Sequence, residues 1–235
     1  MIHQLIFARP KPGMTEQEFQ DYWLHVHAVK YASKISQIRR YKVDTRIALS
    51  DDPPDPLFSG IAEIWLQNEQ EQLESLQSPE FLQGARADEP NWAAFWATIA
   101  LDTDTHCIFE DPKRIHDEGG IKLVTVFKRK PGMSLEAYRR YCIETQAPLL
   151  LGLPGLRRCL QCLVRDSFYS VGESRFDSVS QLWFDDVAAF REAMASTEYQ
   201  RKVKPDLGNF VDPKYVFPIL VKEHWIIGPD RRSEP

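Results

Sequence analysis

The chain has 235 residues, 43% hydrophobic and 27% charged, with a formal net charge of −5, which is apolar material for one or two packed cores and excludes global disorder. The acidic balance excludes a basic nucleic-acid-binding face, and no apolar run approaches the roughly 20 residues of a membrane helix. The opening MIHQLIFARPKPG lacks a basic-then-apolar leader and four scattered cysteines are too few for a disulfide framework, so a reduced, cytoplasmic protein with neither membrane nor nucleic acid as partner is expected.

A first strand is predicted at 2–9, followed by a Pro-Gly turn. Thr15 then caps a helix, with Glu18 three residues on to complete a capping box. Along that helix Phe19, Tyr22, Trp23, Val26, His27 and Lys30 recur at helical spacing, while His25 falls about 200° from Trp23 and points to solvent. Further strands are predicted at 40–47 and 60–66. A second helix carries Leu73 and Leu76, then comes a short helical or irregular segment rich in aromatics (Pro90-Asn-Trp-Ala-Ala-Phe-Trp96), and the last strand lies near 105–109. The stretch EDPKRIHDEGG (110–120) is polar, with a proline and a glycine pair, and reads as a linker.

After it the pattern repeats. KPGMTEQEFQDYW (11–23) recurs as KPGMSLEAYRRYC (130–142) at an offset of 119, and IRRY (38–41) recurs as LRRC (156–159) at 118. The offset of 118 then holds: Trp65 matches Trp183, Asp88 matches Asp206, Asn91 matches Asn209 and His106 matches His224. Strands of the second copy follow at 121–129, 158–165, 178–184 and 223–227, and its second helix carries Phe190 and Met194. A repeat this long is a domain duplication. The expected division is 1–110, a linker at 111–120, 121–228, and a tail at 229–235. Each copy reads β-α-β-β-α-β, the ferredoxin-like order, giving an α+β protein of tandem ferredoxin-like repeats.

At R-x-K-P-G-M-T-x-x-E-F-x-x-Y-W-L-x-V-H-A in the first copy, and K-P-G-M-S-x-E-A-Y-R-R-Y with A-P-L and L-P-G-L-R-R in the second, the chain resembles the EthD family of the dimeric α/β-barrel superfamily. The resemblance covers about 2–109 and 121–227. It implies that the two halves of one chain form the barrel that relatives make from two chains, with an active cleft between a sheet and its own helices. It implies cofactor-free monooxygenases, isomerases, cyclases, dehydratases and haem-handling enzymes as relatives. It also leaves room for association into a homodimer.

His27 lies on the apolar helix face beside Phe19 and Trp23, where an imidazole can act as a general acid or base near neutral pH. The resemblance marks the histidine of Trp-x-x-x-His-Ala, here His27, as the site residue; the bland reading is an inert histidine at the helix–sheet boundary. Tyr41 on the second strand is a candidate to orient substrate or give a proton, and Glu63, on the third strand with Trp65, a candidate to hold His27 in one tautomer; packing and an exposed strand position are their alternatives. The second copy carries Gln146, Cys159, Gln181 and Trp183 at these four positions, so the ionisable set exists only once. The first copy is thus expected to be the working half and the second a degenerate one. Trp23, Trp65, Trp92, Trp96 and His106 are candidate substrate-binding residues, the aromatics forming walls for a flat ligand.

No nucleotide-binding glycine motif and no G-x-S-x-G elbow is present. Cys159-x-x-Cys162 on a strand splits its thiols between two faces, and His25-x-His27 splays its imidazoles apart, so no metal is expected. Haem stays open as the one group a single histidine on an apolar face would suit, but the leading expectation is a cofactor-independent enzyme. It would carry out proton-transfer chemistry (dehydration, isomerisation or cyclisation) on a small apolar or aromatic, polyketide-like ring compound. A cofactor-free monooxygenase and a non-catalytic small-ligand binding protein of a catabolic pathway are the alternatives.

Overall fold

The computed structural model describes residues 1–112, 119–170, 172–228 and 230. It divides into two compact units, Met1–Thr103 with Val221–Pro235, and Asp104–Leu220. In the first unit, β1 (Ile2–Ala8) lies between β3 (Gly60–Leu66) and β4 (Ile99–Glu110), and β3 pairs on its other side with β2 (Arg40–Arg46), all antiparallel. The order β4-β1-β3-β2 is the ferredoxin-like one. The outer edge of β2 is covered by the last residues of β8 (Val211–Ile227), in a register that shifts between Tyr41 and Lys42. Covering an edge removes a row of unpaired backbone groups.

The second unit repeats the arrangement. β7 (Ser178–Phe184) lies between β5 (Ile121–Arg129) and β6 (Arg158–Val164), and Leu182 faces Leu123 and Cys159 as Ile64 faces Gln4 and Tyr41 in the first unit. The eight strands close in the order β1-β3-β2-β8-β5-β7-β6-β4 as a barrel. The fold is therefore α+β, two ferredoxin-like repeats in one closed antiparallel barrel, as expected.

β4 and β8 are longer than their predicted 105–109 and 223–227. Both cross a unit boundary, Ile99–Thr103 and Val221–Ile227 belonging to the first unit. In β8 the pattern was masked by Pro213 and Pro218, residues that ordinarily argue against a strand interior. Residues 113–118 of the expected linker and most of the tail at 229–235 lie outside the described residues.

The helical segments start where the sequence signals them. Gly13 and Gly132 take φ of 84° and 83°, the left-handed turn that the two Pro-Gly sequences need. Thr15 Oγ1 then accepts from the Glu18 amide at 3.2 Å and the Glu18 carboxylate accepts from the Thr15 amide at 2.8 Å, closing the capping box. The helix Glu16–Tyr22 continues as a π-helix over Trp23–Tyr31. Its wider turn buries Trp23, His27 and Ala28, and Ala32 in the 3₁₀ turn that follows extends the stripe, while Val26 is half-buried and Lys30 exposed, so the inward stripe departs from the α-helical spacing expected. His25 is exposed and His27 buried.

The helix-facing side of the first unit's sheet carries Tyr41, Val43, Ala62, Ile64 and Leu66 against Phe19, Trp23, Ala28 and Trp92. Gly60 sets the distance of closest approach. A Cβ there would sit 2.8 Å from the Trp23 ring and 2.9 Å from the Asp44 carbonyl oxygen. Gly60→Ala is expected to lose about 1–3 kcal/mol in equilibrium denaturation, the usual cost of overpacking. An unchanged denaturation midpoint would show that Trp23 is free to retreat. In the second unit the pair is exchanged: Ser178 replaces the glycine and Cys142 the tryptophan, and Ser178 Oγ lies 2.6 Å from the Tyr138 hydroxyl.

Candidate active site

Between the sheet of the first unit and its helices lies a cavity of about 100 Å³. Trp23, Tyr41, Ala62, Ile64, Leu66, Phe81 and Trp92 are among its walls, and its polar lining is Gln4, His27, Tyr41, Ser75, Glu89 and Thr98. The cavity is smaller than the roughly 300–1,000 Å³ of common ligand pockets and than the roughly 150 Å³ that accommodates benzene. Leu76 lies on its wall and is 44% exposed, so a modest movement of that side chain enlarges it. A porphyrin is far too large for this space, and His27 is therefore not placed to serve as its axial ligand.

His27 enters the cavity from the π-helix, with Trp92 at 4.6 Å between ring centroids. Its Nδ1 lies 2.9 Å from Asp88 Oδ2 and 3.1 Å from Trp92 Nε1. One ring nitrogen offers either a proton or a lone pair. Asp88 is held ionised, so its contact calls for the proton on Nδ1; the Trp92 indole N–H, which can only donate, then lies beside Nδ1 without a hydrogen bond to it. Nε2, which has no partner among the described residues, is then the basic nitrogen. Asp88 also accepts from the Tyr22 hydroxyl at 2.8 Å and from Asn91 Nδ2 at 3.0 Å.

These contacts set the titration of the pair. Burial alone would raise the Asp88 carboxyl; the hydrogen bonds from Asn91, His27 and Tyr22 outweigh it and hold the group below its ordinary value. Burial lowers His27, and the hydrogen bond and charge of Asp88 offset this only in part. Burial, then Asp88, pushes the Tyr22 hydroxyl up to about 12, so Tyr22 stays a donor to the carboxylate. Burial raises Tyr41 as well. Its hydroxyl oxygen accepts from Trp23 Nε1 at 3.3 Å, and no described residue accepts its proton.

Of the residues singled out from the sequence, Trp23, His27, Tyr41 and Trp92 meet at this cavity. Glu63, Trp65, Trp96 and His106 lie elsewhere. Strand alternation puts Glu63 and Trp65 on the opposite face of β3 from Ile64. There Glu63 lies 2.7 Å from His3 Nε2 and 3.6 Å from Lys42 Nζ, and Trp65 stacks on His3 at 4.3 Å. The carboxylate in contact with His27 is Asp88, not Glu63. Trp96 is 66% exposed beside an open groove with Arg9 and Lys11, and His106 is exposed on the part of β4 that belongs to the second unit.

Asp44, Glu63 and Glu223 bring carboxylate oxygens within 4.8 Å of one another, a spacing open to a cation. The Lys42 ammonium pairs with both Glu63 and Glu223, so the chain itself supplies positive charge there.

Asp88 and Glu89 were missed as site residues. The signal for Asp88 was in the repeat, because Tyr22, Asp88 and Asn91 recur as Tyr141, Asp206 and Asn209. In the second unit Tyr141 and Asn209 still donate to Asp206 Oδ1 at 2.5 and 3.0 Å. Asp206 Oδ2, at the position of the oxygen that His27 meets, is buried without a partner among the described residues. Gln146, the counterpart of His27, instead accepts from Gln161 at 2.8 Å. The other polar positions of the first cavity, Gln4, Tyr41, Ser75, Glu89 and Thr98, become Leu123, Cys159, Ala193, Leu207 and Val216.

The EthD domain profile matches residues 11–95 and 130–214, once for each repeat, and the chain belongs to this family. No curated protein matches the sequence. Among solved structures, an anthrone oxidase-like protein superposes with a TM-score of 0.60 at 13% identity, over 99% of this chain and 95% of its own. The "Putative monooxygenase" of Fusobacterium nucleatum subsp. nucleatum gives 0.58 at 9% identity, over 100% and 95%. Its namesake from Lactobacillus acidophilus NCFM gives 0.53 at 9%, over 94% and 93%. At these identities the likeness is one of fold. No helix among the described residues is long and apolar enough to cross a membrane.

Proposed function

We propose that the first repeat, 1–110, is a cofactor-independent enzyme site for a small apolar ring compound bearing a carbonyl, and that the second, 121–228, is its degenerate scaffold. The observation that carries this reading is the His27–Asp88 contact of 2.9 Å in an apolar cavity, present in only one of two otherwise parallel repeats. Nε2 of His27 removes a proton from the carbon next to the carbonyl. The developing oxyanion accepts a hydrogen bond from the Tyr41 hydroxyl, whose proton no described residue takes. The aromatic and aliphatic walls exclude water, which strengthens both interactions. The four cysteines are free thiols, which supports a reducing, cytoplasmic setting.

The same carbanion meets O₂ in a cofactor-free monooxygenase, the reading that the fold likeness to monooxygenase-designated proteins favours. An oxygen electrode separates the two. Proton-transfer chemistry turns over a cyclic ketone with no oxygen consumed, whereas stoichiometric uptake would move the monooxygenase ahead. Saturable ligand binding with neither turnover nor proton exchange would mark an accessory binding protein.

A further inference from the structure

The cavity holds one ionisable group for which removal of a proton provides no use. Glu89 follows Asp88 directly in the chain and lines the same cavity as His27. Arg86 Nη1 holds its Oε2, while no described residue bonds Oε1. Its counterpart is Leu207, packed into the apolar cluster around Phe210. The carboxyl thus disappears from the repeat that loses the imidazole, whereas Tyr22, Asp88 and Asn91, none of which lines the cavity, persist as Tyr141, Asp206 and Asn209. Glu89 thus changes together with His27 and Tyr41, as do the other polar positions of the cavity.

We infer that Glu89 is the general acid that completes the chemistry begun at His27, and that the substrate class is a small β-hydroxy ketone which the site dehydrates. The inference rests on His27 acting as the base. His27 Nε2 takes the α-proton, and the C–H electron pair moves to the carbonyl oxygen as an enolate held by the Tyr41 O–H. The enolate then collapses, forming the Cα–Cβ double bond as the Cβ–O bond breaks. The departing oxygen takes the Glu89 proton and leaves as water. A proton passed from the imidazolium to the Glu89 carboxylate resets both groups. The balance is one β-hydroxy ketone to one enone and one water, with no oxidant or reductant. A cavity of about 100 Å³, which must widen at Leu76 to take even one ring, limits such a substrate to a single small ring. Burial raises Glu89 against the opposing charge of Arg86, the direction an acid requires.

The two half-steps separate in one experiment, with 3-hydroxycyclohexanone as the probe and the full-length protein in D₂O. NMR reports exchange of the α-hydrogens, and absorbance reports cyclohexenone. The wild type is expected to accelerate both over buffer, and His27→Ala to lose both. Glu89→Gln is expected to keep exchange within about threefold while losing about 10²–10⁴ in enone formation, the usual worth of a general acid. Enone formation by Glu89→Gln at the wild-type rate overturns the role of Glu89. So does loss of exchange and enone to the same degree, which is the behaviour of a merely structural residue. Exchange by the wild type with no enone overturns the dehydration alone. Neither exchange nor enone from the wild type contradicts the His27 reading and removes the inference with it.

Discussion

His27→Ala is expected to lower kcat/KM by about 10²–10⁴, with circular dichroism and the denaturation midpoint little changed, whereas Gln146→Ala is expected to keep most of the activity. The two substitutions remove equivalent buried side chains, so a loss from damaged packing would strike both. Of the two, His27 alone meets a carboxylate, with its Nε2 unpartnered among the described residues; Gln146 is tied to Gln161 and has no proton to exchange near neutral pH. Retention of more than roughly a tenth of wild-type kcat/KM in His27→Ala would remove the general-base role by the same standard.

The pH profile carries the second large effect. The base must be neutral, so kcat/KM falls as pH drops through the His27 pKa of the free enzyme. Burial lowers that value, so the acid limb lies below the ordinary 6.5. Asp88 opposes the shift through its hydrogen bond and its charge. Asp88→Asn therefore moves the limb further down. It also lowers the plateau, by on the order of 10²-fold or more, because an amide no longer selects the tautomer with its proton on Nδ1. Glu63→Gln leaves the limb in place, since Glu63 contacts His3 and Lys42 on the other face of β3. A limb above 6.5, or one that moves with Glu63 and not with Asp88, would contradict the assignment.

Much of this arrangement was legible in the sequence because duplication acts as an internal comparison. The Pro-Gly turns, the helix cap (Thr15, then Ser134) and the period of β1, β2 and β3 each appear twice, and local signals repeated in register give the ferredoxin-like order directly. His27 was legible for the converse reason, as an ionisable residue on an apolar stripe that its twin lacks. The partner of His27 was not. Glu63 was reasonable by chain position, since a carboxylate in an apolar strand suggests a buried ion pair. Strand alternation, however, turns it away from the helices, and its charge is met by His3 and Lys42. Asp88 comes from a short helical segment 61 residues beyond His27, and only tertiary packing brings it to Nδ1. The ends of β4 and β8 were obscured because their partners change along their length and because prolines interrupt β8. The π-helix was obscured because the burial stripe at 23, 27, 28 and 32 differs from an α-helical one by a single residue per turn.

The protonation state of His27 itself tests the central claim most directly. In ¹⁵N-labelled full-length protein, two-bond ¹H–¹⁵N correlation spectra distinguish the protonated from the unprotonated ring nitrogen of each histidine, with His27→Ala identifying the signal. At pH 7.5 the His27 ring is predicted to be neutral with its proton on Nδ1, to titrate below 6.5, and to lose its tautomer preference in Asp88→Asn. A proton on Nε2, or a ring already charged at that pH, would contradict a base oriented by Asp88.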